Sequence, residues 1–496
     1  MTMTVSRPTG LDFVKEMTIG GQAVLGDGPL IEVWNPATGQ IMDTVAGASA
    51  QQVEAAIAAA RRAFDDGPWP RMSGAERGAA MHRLADQLEN YRDELITAIV
   101  SEAGTPVATS EVLQFEVPLR ILRWNADAAA RDRREQLGPD FEILPSVSYI
   151  DYRPVGVVGA IAAYNYPLHL IMLKIGGALA AGCTVVAAPS VRTPFTTLLL
   201  GKLIREAGIP DGVVNILVGD VDVSRTLTTH PSIDKVSFTG SAEIGRRVMA
   251  QAADSLKDVV LELGGKSPNI ILPGTDLSAL VAPVHMRYSR NAGQGCASPT
   301  RLLVHESQVE EFIERSGQMW PTMKVGDPWD RDTLVGPLIR SEHRDRVASF
   351  VDSAAAAGGQ VLAGGGQLDI NGGWFYSPTL IGGVDSRSWV AQEEIFGPVS
   401  VLLSYRDIDE AVRLANDVKY GLAAYIFGPL QDCLQVAPRL QAGIVQINGG
   451  GSMRPDAPYG GFKASGIGRE LGEAGIREYL EPQHVQFAMA QPGHAV

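Results

Sequence analysis

Four short runs rich in valine, isoleucine and alanine, at Gly156–Ala163, Thr184–Ala188, Val213–Val218 and Lys235–Phe238, follow one another with helical patterns between them. Strands that are apolar throughout, with no polar face, are buried on both sides, which is the condition of strands in a parallel sheet covered by helices. The alternation predicts an α/β fold with a doubly wound parallel sheet, and such sheets place ligand sites beyond the carboxyl ends of their strands. A second alternating set, with strands expected at Ile270–Leu272, Leu302–Val304, Val399–Leu403 and Val445–Asn448, predicts a second α/β domain.

Two domains suit the length, because 496 residues exceed what one ordinary core supports. With 45% hydrophobic and 20% charged residues the composition is that of a folded globular chain. Ala50–Phe64 and Ala75–Val100 carry apolar residues at helical spacing, broken by Gly67-Pro68-Trp69-Pro70. Asp140–Arg153 alternates apolar and polar side chains and Glu481–Met489 does so more loosely, as exposed bridging strands do.

Several function classes are disfavoured. Forty-two basic against 56 acidic residues leave a formal charge of -14, with no basic stripe for a nucleic acid. The cysteines, Cys183, Cys296 and Cys433, form no CxxC pair, so neither a disulfide framework nor a thiolate metal site is expected. Eight scattered histidines show no ligand spacing, so no metal is expected. Met1–Gly10 lacks the pattern of a secretory signal, and the apolar run Val155–Ala163 is far shorter than the roughly twenty residues of a membrane span. A cytoplasmic protein without a membrane partner is expected.

Cys296 stands out because Gly293 and Gly295 precede it and the strand-like Leu302-Leu303-Val304 follows. Glycines allow a tight turn and close approach of another molecule, so the thiol reads as a nucleophile, whereas Cys183 and Cys433 read as small buried side chains. Glu262 ends an apolar strand just before Gly264-Gly265; it reads either as a buried general base or as a partner for Lys266 or Arg301. Asn165 follows the first strand and precedes a helix, as an oxyanion donor or as a helix cap. Phe238-Thr239-Gly240-Ser241 leads from a strand through a glycine turn into a helix containing Gly245, an arrangement that suits a pyrophosphate and is shared by many strand-to-helix turns.

Together these segments resemble the aldehyde dehydrogenase superfamily. The resemblance rests on NYP at Asn165–Pro167, FTGSxxxG at Phe238–Gly245, ELGGKSP at Glu262–Pro268, GQGC at Gly293–Cys296 and EEIFGPV at Glu393–Val399. It runs in order from about Asn35-Pro36 to Glu470.

The resemblance implies that Cys296 attacks an aldehyde, that hydride passes to NAD or NADP, and that Glu262 activates the water that hydrolyses the thioester. Asn165 would hold the oxyanion, and Lys174 and Glu470 would move the proton from the base, unless both are surface charges. Gly240, Ser241, Gly245, Leu263, Pro189, Glu394 and Phe396 would contact the cofactor, with Glu393 a solvated neighbour. Where the family usually has lysine and glutamate near the adenosine ribose, this chain has Ala188 and Val191 beside Arg192, so discrimination between NAD and NADP should be weak. Tyr166, Leu173, Arg290, Ala297 and Tyr459 would line the substrate pocket. The tyrosines and leucine suit an apolar or aromatic aldehyde, whereas Arg290 suits a semialdehyde if it points inward.

By the same resemblance residues 1–131 and 154–263 form the NAD(P)-binding domain and 264–477 the catalytic domain. Residues 132–153 and 478–496 then form a bridging element that joins a homodimer or homotetramer. A dehydrogenase that passes its acyl group to coenzyme A, and a relative that binds cofactor without catalysis, are the competing readings.

Overall fold

The computed structural model describes residues 12–143, 145–451 and 453–489. The expectations for Met1–Gly10 and for the end of the 478–496 segment lie outside the described residues.

Five parallel strands form the centre of the first sheet, in the order Val214–Ile216, Thr184–Ala188, Val157–Ile161, Lys235–Thr239, Asp258–Glu262. The chain winds one way from Val157–Ile161 and then returns to continue on its other side, so the winding reverses between Val157–Ile161 and Lys235–Thr239. That reversal is where a doubly wound sheet opens a crevice. Every residue of Val157–Ile161, Thr184–Ala188 and Lys235–Thr239 is buried, as the unbroken apolar runs predict. Both margins are closed by antiparallel strands. Met17–Ile19 and Gln22–Val24 cover one edge, and Gly466–Ile467, from the far end of the chain, pairs with Asp258–Glu262 on the other.

The second sheet orders Gln360–Ala363, Thr379–Gly382, Val399–Tyr405, Arg301–His305, Pro268–Ile271, Ala423–Phe427 and Ile444–Ile447, all parallel except the first. Leu480–Ala488, Ser146–Pro154 and Glu135–Asp140 make a separate three-stranded antiparallel sheet.

Among the helices, Ala50–Asp65 and Gly74–Asn90 both start with a capping box, Ser49 with Gln52 and Ser73 with Glu76. The periodic stretch Ala75–Val100 is two helices, because Tyr91 leaves helical geometry and Arg92–Ala103 restarts with Asp93 and Glu94 in its first turn. Such acidic residues favour a helix start. Among the described residues no helix is long and apolar enough to cross a membrane, and no cluster of three or more His, Cys, Asp or Glu could hold a metal ion.

Candidate active site

A cleft of about 940 Å³ opens between the two large sheets. Strand ends of the first sheet supply one wall. Asn165 follows Val157–Ile161, Gly240 and Ser241 follow Lys235–Thr239, and Glu262 ends Asp258–Glu262. The chain from Pro268 onward, which builds the second sheet, supplies Cys296, Glu394, Phe396 and Tyr459.

The loop bearing Cys296 is reversed sharply. The helix Leu277–Ser289 ends at Arg290, and Asn291 and Ala292 then take left-handed backbone angles, φ 53° and 52°. Those conformations are strained for residues with a Cβ, so something must hold them. Thr105 Oγ1 donates to Asn291 Oδ1 at 2.7 Å, and Gln114 Nε2 donates to Thr105 Oγ1 at 2.7 Å. Asn291 Nδ2 then donates to the Asn165 carbonyl at 2.9 Å, and Gln294 Nε2 donates to the Asn291 carbonyl at 3.1 Å. Nothing in the sequence marks Thr105 or Gln114 for this role; Asn291 lies two residues before the GQGC motif, but its network does not show in the sequence.

The same hydrogen bonds reach Asn165. The helix Pro167–Ala181 has no side-chain cap, so Asn165 is no cap residue. Its Nδ2 donates to the Gln294 carbonyl at 2.8 Å, which commits one of the two amide hydrogens and leaves the other.

Glu262 is buried and neither carboxyl oxygen has a hydrogen bond. The alternative of an ion pair with Lys266 or Arg301 is overturned. Arg301 spends its guanidinium on the carbonyls of Lys266, Leu414 and Ala415, and Lys266 Nζ has no hydrogen bond. Burial pushes the Glu262 carboxyl well above its ordinary range, and Glu470 adds to the rise while Lys174 opposes it. Burial likewise lowers Lys266 to about 7.

Lys174 and Glu470 are not surface charges. Both are buried, and Lys174 Nζ meets Glu470 Oε1 at 2.8 Å and Ser237 Oγ at 3.2 Å. Tyr459 pairs with Glu470 through the backbone, and Gly460 lies so close to Glu262 that a Cβ there would come within 2.8 Å of Oε1. The Tyr459 hydroxyl in turn lies 3.4 Å from Cys296 Sγ. Removal from water raises the thiol to about 12, opposed in part by that hydroxyl.

The glycines of the ELGG segment are spacers for the opposite wall. A Cβ on Gly264 would sit 2.0 Å from Glu394 Oε2, and one on Gly265 would sit 2.4 Å from the Cys296 carbonyl. Glu394 Oε1 accepts from the Gly265 N–H at 3.1 Å, and burial raises this carboxyl to about 7. Phe396 adopts φ 58°, and His343 bonds its carbonyl at 2.6 Å. Glu393 is not simply solvated, because Lys419 holds it at 2.6 Å.

Thirteen of the seventeen expected site residues line this cleft: Cys296, Glu262 and Asn165; Gly240, Ser241, Leu263, Glu394 and Phe396; Tyr166, Leu173, Arg290, Ala297 and Tyr459. Four do not. Lys174 and Glu470 lie behind Glu262, Pro189 follows Thr184–Ala188, and Gly245 faces Leu263, whose Cδ2 a Cβ would meet at 2.6 Å. Ser241 caps the helix Ala242–Ala253, whose amino terminus opens on the cleft. Arg287 and Tyr425, which no sequence pattern singles out, also line it, and the Tyr425 hydroxyl donates to the Ala297 carbonyl at 2.8 Å.

Known proteins agree with this architecture. The profile of the Aldehyde dehydrogenase family matches residues 24–485. The chain is similar to the putative aldehyde dehydrogenase DhaS of Bacillus subtilis, 37% identical and covering 98% of each chain. It is also similar to an aldehyde dehydrogenase of Enchytraeus buchholzi, 38% identical over 91% of each. Among solved structures, betaine aldehyde dehydrogenase from Staphylococcus aureus in complex with NAD+ superposes with a TM-score of 0.93 at 34% identity, covering 98% of this chain and 97% of that one. An NAD+ complex of aldehyde dehydrogenase from Bacillus cereus gives 0.92 at 36% identity, with 96% of each covered. The chain belongs to the aldehyde dehydrogenase family and is an oxidoreductase acting on aldehydes.

Proposed function

We propose that the chain oxidises its aldehyde to the carboxylic acid through a thioester on Cys296, with NAD or NADP as the acceptor. The observation that carries this reading is the meeting in one cleft of a thiol, an amide with a spare N–H, and a buried carboxyl free of any protein partner. Those groups are what acyl chemistry at a sulfur requires.

The chain's residues also suit a dinucleotide. The glycine turn Gly240-Ser241 and the amino terminus of Ala242–Ala253 suit a pyrophosphate, and Glu394 keeps Oε2 free of hydrogen bonds for a ribose hydroxyl. Leu263, packed against Gly245, and Phe396 supply apolar walls, while Pro189 follows the neighbouring strand. When bound, the nicotinamide accepts the hydride that the substrate carbon gives up.

The sulfur of Cys296 adds to the carbonyl carbon as the thiol proton is given up to solvent. The oxygen that gains charge receives the second N–H of Asn165 and the backbone N–H of Cys296. Once the carbon has lost hydride, the acyl group is held as a thioester. In its unprotonated form Glu262 takes a proton from water as the water oxygen bonds to the acyl carbon. The C–S bond then breaks, releasing the acid and restoring the cysteine. Behind Glu262, the Lys174–Glu470 pair offers the proton its way out.

Glu262 favours water over coenzyme A as the acyl acceptor, because transfer to a thiol needs no such base. The deciding assay follows NAD(P)H absorbance and identifies the product. Free acid, with absorbance lost in Cys296→Ala, is expected. Acyl-CoA as the sole product would favour the acylating reading, and absorbance unchanged in Cys296→Ala would sink the role of the thiol.

A further inference from the structure

Arg290 occupies an unusual place. It is the last residue before the left-handed pair Asn291-Ala292, on the loop that carries Cys296 six residues on, and the Thr105–Asn291–Gln294 hydrogen bonds fix that loop. The nucleophile and the guanidinium therefore share one rigid support. Arg290 is half-buried, lines the cleft, and forms no ion pair or side-chain hydrogen bond among the described residues. Its charge acts on the Tyr166 and Tyr425 hydroxyls, which also feel Cys296, so the cation and the sulfur face the same part of the cleft.

Arg287, one helical turn earlier, stands on the same wall. It lies over the Tyr425 ring at 4.3 Å and donates to the neutral Gln446 amide, so no carboxylate cancels its charge. Of the two other arginines at the cleft, Arg346 donates to the carbonyls of Glu394 and Ile395 on the opposite wall, and Arg454 is bound by Asp456 at 2.9 and 2.6 Å and contributes little net charge. The acidic groups of the cleft are Glu243, Glu262 and Glu394. Glu243 pairs with Arg247, Glu262 has its carboxyl raised toward the neutral form, and Glu394 is bonded to Gly265 on the wall assigned to the cofactor. The substrate side holds Leu113, Val117, Leu170, Tyr166 and Met453 around two uncancelled guanidiniums.

A half-buried guanidinium at the cleft wall with no partner of its own leaves its charge and N–H groups available to an anionic ligand, and guanidinium is well matched to carboxylate and phosphate oxygens. We infer that the cleft selects aldehydes carrying an anionic group, carboxylate or phosphate, at the end remote from the carbonyl, and that Arg290 reads that group with Arg287 in support. The same two charges repel an aldehyde bearing a quaternary ammonium, so betaine aldehyde is disfavoured. This inference rests on the reading of Cys296 as the nucleophile toward aldehydes.

The test measures kcat/KM with saturating NAD and with saturating NADP for succinic semialdehyde, butanal, glyceraldehyde 3-phosphate, glyceraldehyde and betaine aldehyde. At least one anionic aldehyde should exceed its neutral counterpart by about tenfold or more, the scale of one charge-assisted contact, with betaine aldehyde below butanal. Whichever anionic substrate wins tells carboxylate from phosphate. In Arg290→Leu that anionic-to-neutral ratio should fall by about tenfold or more, and in Arg290→Lys it should be largely kept, with melting temperature recorded for both. Neutral aldehydes equal to both anionic ones, betaine aldehyde preferred over butanal, or a ratio unchanged in Arg290→Leu would each overturn the inference. No NAD(P)H from any of the five would instead sink the reading of Cys296 itself.

Discussion

At the scale of single residues the resting thiol is protonated. The Cys296 thiol is pushed to about 12 by removal from water, and the Glu262 carboxyl is raised for the same reason with Glu470 beside it. Both groups act in the unprotonated form, so reactivity should climb as pH rises. At pH 8 a thiol of that acidity is ionised to about one part in ten thousand. Alkylation of Cys296 in the cofactor-free enzyme by iodoacetamide should accordingly accelerate without a plateau between pH 7 and 10, read as modification rate by mass spectrometry; a plateau by pH 8 would contradict the environment described. Asn165→Ala removes one oxyanion donor and should lower kcat by about 10²–10³-fold. Glu262→Gln should differ in kind, giving a burst of NAD(P)H from one turnover and then a rate at least about 100-fold below wild type, with the acyl-enzyme detectable by mass. A variant that simply loses its burst would place Glu262 before hydride transfer. Val191→Glu adds a carboxylate that repels a 2'-phosphate, and it should raise the NAD-to-NADP ratio of kcat/KM by about tenfold or more.

Among the elements, a glutamate shows how distant segments hold each other. Helix Phe195–Glu206 lacks a cap from its own Pro194, and the buried Glu102 supplies one by accepting from the N–H of Phe195 at 2.8 Å and of Thr196 at 2.9 Å. Burial raises Glu102 to about 7 despite those bonds. Since its folded value lies above the unfolded one, its share of stability is complete below about 4.5 and is lost as pH rises through about 7. The wild type should therefore lose more apparent melting temperature between pH 5.5 and 8 than Glu102→Gln does, by thermal unfolding at both pH values; equal losses would assign the raised acidity constant no thermodynamic weight. This contact also marks what sequence reading reaches. The strands at Thr184–Ala188 and Lys235–Thr239 were legible because both their faces are apolar, and the ELGG and GQGC segments because glycines must let Glu394 and the Cys296 loop approach. Glu102, Thr105, Gln114 and Arg287 carry no local pattern, since their roles depend on partners 93, 186, 9 and 159 residues away. The edge strands Gln22–Val24 and Gly466–Ile467 are too short to show a period.

Over the whole molecule, the three-stranded sheet stands apart from the two large sheets, and its composition asks for a cover. Leu137, Phe141, Ile143, Phe487 and Met489 are exposed on this sheet or directly beside it. Glu135–Asp140 and Leu480–Ala488 are its two edges, so each presents unpaired backbone groups along one side. Exposed apolar side chains next to open strand edges mark a surface that associates, and the expected partner is another copy of the chain as a dimer or tetramer. Charges point the same way by their internal pairing. Glu135, on one edge, is held by Tyr152 and Arg477 at 2.8 and 3.1 Å, so this carboxylate already has its partners within the chain. Light scattering on the purified protein should give a mass of at least two chains. The double substitution Leu137→Asp with Phe487→Asp should shift it toward one chain, because each aspartate would have to be desolvated in the interface. If the mass stays that of the oligomer, subunits meet elsewhere and the sheet's exposed edges have another use; if the wild type is already a monomer, the bridging role assigned to 132–153 and 478–496 fails outright.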